Sequence, residues 1–153
     1  MEKINEKTNV INWFEIPVLD SERAKRFYET IFDIEMHTAM MVITDFIHAG
    51  DMNEEMTFFP SVQGVIQATS GRVTGALVKS DRFKPSNEGV LIYFNAYPTI
   101  QTIIDKIEPA GGKIIVPKYK NLAGYIAIFM DSEGNKVGLH AEAWLLPVVR
   151  SPH

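Results

Sequence analysis

The chain has 153 residues, 46% of them apolar and 22% charged, with a formal net charge of −4 and no cysteine. That length suits a single domain burying about 70% of the surface its unfolded form would expose. The lack of cysteine excludes disulfides, thiolate nucleophiles and Cys-ligated metal centres. Scattered basic residues under a negative balance disfavour nucleic acid as a partner, and no apolar run approaches the roughly 18 to 20 residues that a bilayer crossing requires.

Residues 1–9 read as a flexible lead, and their polar sequence has no secretion-signal core, so the expected compartment is the cytoplasm. Over 13–18 the residues alternate, Phe14, Ile16 and Val18 on one face and Trp13, Glu15 and Pro17 on the other, which is the period of a strand. Pro17 marks a strand end or an edge. Asp20 or Ser21 can then cap a helix whose stripe is Ala24, Phe27, Tyr28, Ile31 and Phe32, ending at Asp33. The natural cover for that stripe is the Phe14, Ile16 and Val18 face. Trp13 and Glu15 then face either water or a cavity.

Residues 34–42 alternate as a second strand, 43–50 can hold an extension or hairpin, 51–54 read as a turn, and 56–59 as a third strand closed by Pro60. Met36, Met40, Met41, Met52 and Met56 crowd this half, as flexible core filler or as an adaptable pocket wall. The polar stretch 61–72, with a strand fragment around 65–67, is long enough to act as a lid, and 73–79 is a fourth strand.

After a turn-rich linker over 80–89 the pattern restarts. Residues 90–95 are strand-like. Pro98 or Thr99 opens a helix with the stripe Ile100, Ile103, Ile104 and Ile107, which stops before Pro109. Three strands follow, over 113–116, 124–130 and 136–140, the last two joined by the turn Asp131 to Asn135. The tail 143–149 (AWLLPVV) is too apolar for a free end and predicts docking on the body or on a second subunit, so a homodimer is expected.

The two helix stripes are displaced by about 76 to 78 positions, so each half reads strand, helix, three strands. The expected fold is α+β: two tandem βαβββ modules (10–80 and 89–142), each a four-stranded mixed sheet with a helix on one face, the sheets curving around a shared cleft. A ferredoxin-like βαββαβ domain would leave two or more strands unused.

This order of elements resembles the vicinal oxygen chelate superfamily of glyoxalase, bleomycin-resistance and extradiol dioxygenase-like proteins, over about residues 10–142. VLDSERAKRFYETIF is similar to the superfamily's first strand-to-helix segment and DSEGNKVGLH to its closing turn and strand. GALVK followed by RFKPS, GVLIYFN and AGGKIIVPK resemble a glyoxalase-related branch. The resemblance implies a fold that hosts isomerases, dioxygenases, thiol transferases and non-catalytic binders.

In metal-dependent relatives, His, Glu or Gln side chains from the first and last strand of each module meet at one divalent ion. Carried over by position, these places fall on Trp13, on Gly75 or Leu77, on or near Leu91, and on Gly138. None is a competent ligand, so no metal and no other cofactor is expected. The resemblance places those strand faces toward the cleft. Glu15 then joins Trp13, Tyr93 and Asn95 join Leu91, and His140 joins Gly138.

The expected site has Glu15 and His140 as acid/base residues, with Trp13, Phe58, Leu91 and Tyr93 contacting a small-molecule ligand. His140, near a strand end, fits a satisfied structural histidine as well, Tyr93 a core aromatic, and Glu15 a solvated strand face. His37 and His48 lack partners at ligand spacing and read as surface residues. Three functions stay open: a metal-independent lyase or isomerase acting on a small carbonyl compound, a non-catalytic sensing or sequestering domain, and a metal enzyme with atypical ligands.

Overall fold

The structure, a computed structural model, describes residues 3–45 and 50–141. Residues 46–49 with His48, the tail 143–149 and His153 lie outside the described residues. Contacts divide the chain into two units, residues 1–25 with 33–85, and residues 26–32 with 86–153.

The first unit is built on a four-stranded sheet of β1 (Trp13–Pro17), β2 (His37–Asp45), β3 (Gly50–Phe58) and β4 (Thr74–Lys79), in the order β1-β4-β3-β2. β1 runs parallel to β4, and the other pairs are antiparallel, so the sheet is mixed. The predicted alternation holds: Ile16 and Val18 are buried, whereas Trp13 and Glu15 are exposed. Residues 51–54, expected as a turn, belong to β3, and β2 starts three residues later than predicted and runs to Asp45. The reason is tertiary, because an unbroken register from His37↔Phe58 to Asp45↔Gly50 recruits polar residues that local preference would give to a turn. Met36 and Met56 are core, while Met40 and Met41 are exposed on the edge strand.

The stretch 61–72 contains one 3-10 turn, Gln67–Thr69, where a strand fragment was expected. It is tied to the N-terminal lead. The Asn9 backbone N–H donates to Ala68 O at 2.8 Å, its side-chain amide donates to Gln67 O at 2.7 Å, and Gln67 Nε2 donates to Asn12 O at 2.9 Å.

The second unit holds β5 (Tyr93–Asn95), α2 (Ile100–Ile107), β6 (Lys113–Asn121), β7 (Gly124–Met130) and β8 (Lys136–Ala141), with sheet order β5-β8-β7-β6. β5 is parallel to β8 and the remaining pairs are antiparallel. β5 is three residues long, so Val90, Leu91 and Ile92 stand before the strand, although Gly138 N–H still donates to Ile92 O at 2.8 Å. β6 continues past Pro117 to Asn121 through two register shifts, longer than the predicted 113–116.

Helix α1 (Ser21–Phe32) begins in the first unit, and its residues from 26 onward belong with the second. Asp20 caps it, its Oδ1 accepting the Arg23 N–H at 3.0 Å, and Asp33 closes it at φ 53°. In the second unit the Tyr28 and Phe32 rings lie 5.8 and 4.9 Å from Phe94, and Phe27 lies 6.0 Å from Phe129. The Phe94, Leu139, Ala127 and Phe129 face of this sheet is therefore its core side.

The turn between β7 and β8 is locked to that helix. Asp131, buried, accepts the Tyr28 hydroxyl at 2.7 Å on Oδ2 and the Asn135 side-chain amide at 3.0 Å, while its Oδ1 accepts the backbone N–H groups of Glu133 and Asn135, each at 2.9 Å. Gly134, at φ 95°, allows the chain to turn. Burial first, and then the Asp131 carboxylate, hold the Tyr28 phenol well above its ordinary pKa. None of the described helices is long and apolar enough to cross a membrane.

Candidate functional site

The predicted site residues divide between the two sheets. On the first sheet, the register Glu15↔Ala76 and Phe58↔Ala76 places Glu15 and Phe58 on one face, with Trp13 two residues along. Trp13 and Phe58 pack with ring centroids 6.2 Å apart, and Phe58 rests on Met56, Ala76 and Val78. Trp13 Nε1 donates to Glu15 Oε2 at 3.2 Å. Glu15 is exposed, so the burial on which its expected role as a base depended is missing in this unit.

The same face carries a pair that the sequence reading missed. Arg82 donates to Glu54 through Nε at 3.2 Å and Nη2 at 2.9 Å, a two-pronged clamp on a carboxylate only 3% exposed. Burial pulls the Glu54 carboxyl upward, but hydrogen bonds from Ser80 and Arg82 and the Arg82 charge outweigh it and leave the pKa lowered. With Glu54 assigned to a turn and Arg82 to a linker, no pattern marked them as partners.

On the second sheet an open hollow of about 330 Å³ is lined by Tyr93, Phe94, Asn95, Ile126 and His140. Register explains the grouping, because Asn95 and His140 are partners across the parallel pair β5 and β8, and His140 is also the partner of Ile126 on β7. Of the predicted residues this unit brings together Tyr93 and His140. Leu91 is half-buried ahead of β5 and does not line the hollow.

The His140 ring is held by the hairpin opposite, with Nε2 2.6 Å from the carbonyl oxygen of Ala123. A carbonyl only accepts, so Nε2 carries the hydrogen and Nδ1 of the neutral ring keeps its lone pair. Asn95 is fixed in the same way. Its Oδ1 accepts the Tyr97 N–H at 3.0 Å, which leaves Nδ2 as the outward donor.

The family model described as the Glyoxalase/Bleomycin resistance protein/Dioxygenase superfamily matches residues 10–139. The chain belongs to this superfamily. A glyoxalase family protein from Bacillus cereus is similar in fold at 13% identity with a TM-score of 0.61, covering 92% of this chain and 99% of that one. A glyoxalase/bleomycin resistance protein from Albidiferax ferrireducens T118 aligns at 16% identity and a TM-score of 0.60 over 88% of this chain and 99% of its own. The genomically encoded fosfomycin resistance protein FosX from Listeria monocytogenes aligns at 14% and 0.53, over 94% and 98%. At such identities the likeness speaks to the fold. Among curated proteins, no relative matches this chain.

Superfamily resemblance implies a divalent ion, and the residues at the corresponding positions do not fit one. A Cβ added at Gly75 would lie 2.1 Å from the Phe14 carbonyl oxygen, and Leu77 is fully buried. At Gly138 a Cβ would stand 2.4 and 2.6 Å from atoms of the Tyr93 ring, so an aromatic ring occupies the space into which a ligand side chain would project. Among the described residues no group of three His, Asp or Glu side chains is placed to hold a metal.

Proposed function

We propose that this member of the glyoxalase superfamily binds a small carbonyl compound in the hollow on its second sheet, and that His140 acts there as a metal-independent base of a lyase or isomerase. The observation that carries the reading is the bond from His140 Nε2 to Ala123 O, which leaves Nδ1 as a basic nitrogen at the hollow's wall. Nδ1 takes a proton from the carbon beside the ligand's carbonyl. The C–H electron pair becomes a C=C bond, and the negative charge reaching the oxygen is met by the Tyr93 O–H and the Asn95 Nδ2–H. Positioned bases of this kind contribute about 10² to 10⁴ in rate.

The test begins with a melting-temperature screen of small carbonyl compounds and follows each binder for turnover. His140→Gln can keep a donor for Ala123 while removing the base, so turnover falls at least about 100-fold and affinity stays within a few-fold. Turnover that survives His140→Gln and disappears in Glu15→Gln would transfer the base to Glu15. Binding without turnover for every compound would make the chain a sensing or sequestering protein. A stoichiometric divalent ion in the purified protein would sink the metal-independent reading.

A further inference from the structure

We infer that the ligand of this hollow is an uncharged group bearing a carbonyl beside an N–H or O–H, as in the edge of a carboxamide, and not a carboxylate or phosphate. The inference rests on the reading that the hollow is a binding site and describes the resting pose, in which a ligand N–H or O–H occupies the His140 Nδ1 lone pair and must give way to the neighbouring C–H before any turnover; it follows from which polar atoms are already used. Asn95 has its oxygen turned to the Tyr97 N–H, so the group it offers in full is the Nδ2 donor. His140 spends its N–H on the Ala123 carbonyl, so the neutral ring offers only an acceptor. Asn95 and His140 are register partners on adjacent strands, which sets that donor and that acceptor side by side.

A ligand meeting both must accept from Asn95 and donate to His140 from neighbouring atoms. A carboxylate can do only the first, and it would bring its charge against the His140 lone pair. Tyr93, whose hydroxyl donates or accepts, does not alter the requirement.

Charge points the same way, because among the described residues no cationic side chain lines the hollow. Lys118 and Lys120 hold their ammonium groups 5.5 and 5.6 Å from the Tyr125 ring centre. Tyr125 is the partner of Ala141 and so stands on the opposite face of the sheet from His140. On β8 itself the cation on the His140 face is Lys136, four residues and roughly 13 Å along the strand. An anion would therefore leave water for a pocket of neutral dipoles, which is unfavourable. Ile126, the register partner of His140, supplies an apolar wall suited to a ring carried by the same ligand.

The experiment titrates the full chain with benzamide, N,N-dimethylbenzamide and benzoate at neutral pH, following the Asn95 side-chain amide by ¹H–¹⁵N NMR. Benzamide should shift that resonance and bind at least about 10-fold more tightly than either of the others, since each lacks one of the two hydrogen bonds. Asn95→Asp keeps an oxygen for the Tyr97 N–H but turns the outward donor into an acceptor, and it should abolish the benzamide preference. Benzoate binding as well as benzamide, or dimethylbenzamide matching it, would overturn the assignment. So would a benzamide preference that persists in Asn95→Asp. If none of the three binds while other carbonyl compounds perturb Asn95, the ligand class is wrong and the hollow stands. If nothing perturbs Asn95, the proposed function fails with it.

Discussion

The two sheet faces that hold the predicted site residues treat their polar groups differently. On the first sheet two contacts join side chain to side chain, Trp13 donating to Glu15 and Arg82 clamping Glu54, while Thr74 Oγ1 donates to the Pro60 carbonyl at 2.8 Å. On the second, side chain meets backbone: His140 is held by Ala123 O and Asn95 by Tyr97 N–H, so each keeps one atom in reserve. A face whose charged side chains pair with one another keeps less of its hydrogen-bonding capacity for a ligand. One whose side chains are anchored by the main chain has fixed orientation and spare hydrogen-bonding capacity, which is what a binding site requires.

If the second unit's face is held rigid by its anchors, its framework should be the more sensitive of the two. Asp131→Ala should give the largest effect, because it orphans the Tyr28 hydroxyl, the Asn135 side chain and two backbone N–H groups together. A loss of about 3 to 4 kcal/mol is expected in urea unfolding. Tyr28 adds a signature in alkali. Its folded pKa is raised above the unfolded value near ~10, so its contribution is complete below that pH and declines as pH rises toward the folded value. Tyr28→Phe should remove that decline, measured as stability against pH between about 9 and 11.

The clamp on the first sheet should respond next, and at the other end of the pH scale. The Glu54 pKa is lowered, so its contribution is present above the unfolded value near ~4.3 and is lost as pH falls toward the folded value. Arg82→Ala leaves a buried carboxylate without its two-pronged partner. The expected cost is about 1 to 3 kcal/mol at pH 7, shrinking in acid as Glu54 takes a proton. A cost independent of pH between about 3 and 7 would mean that Arg82 contributes through its packing on the Phe83 ring, 4.9 Å away, and not through charge.

The sequence shows these faces unequally. Alternation over 13–18 and the repeat of stripe and strands make the two modules legible, because side-chain period is a local property. What covers a stripe is not local. Periodicity marks Phe27, Tyr28, Ile31 and Phe32 as one apolar side of α1, but nothing in their spacing says that Phe94 and Phe129 of the second sheet lie against them. The same limit hides the Glu54–Arg82 clamp and the Asp131–Tyr28 bond, whose partners are 28 and 103 positions apart. At the candidate site, His140 and Tyr93 are visible as chemistry-bearing residues on a strand face. The tautomer of His140 and the direction of the Asn95 amide depend on backbone atoms of Ala123 and Tyr97, and these no side-chain pattern reveals.

The smallest predicted effect separates the two faces most directly. Trp13→Phe keeps an aromatic ring against Phe58 but removes the N–H that meets Glu15. That bond joins two exposed side chains, and water replaces it at little cost. The expected loss in urea unfolding is therefore below about 0.5 kcal/mol. Losing the Ala123 anchor in His140→Phe removes a bond from a half-buried ring to a backbone carbonyl and should cost about 1 kcal/mol, two to three times as much. Equal losses in the two variants would mean that the first face is anchored as firmly as the second. Trp13 and Glu15 would then have to be reconsidered as an oriented pair, with Glu15 placed to do work that the present contrast assigns to His140.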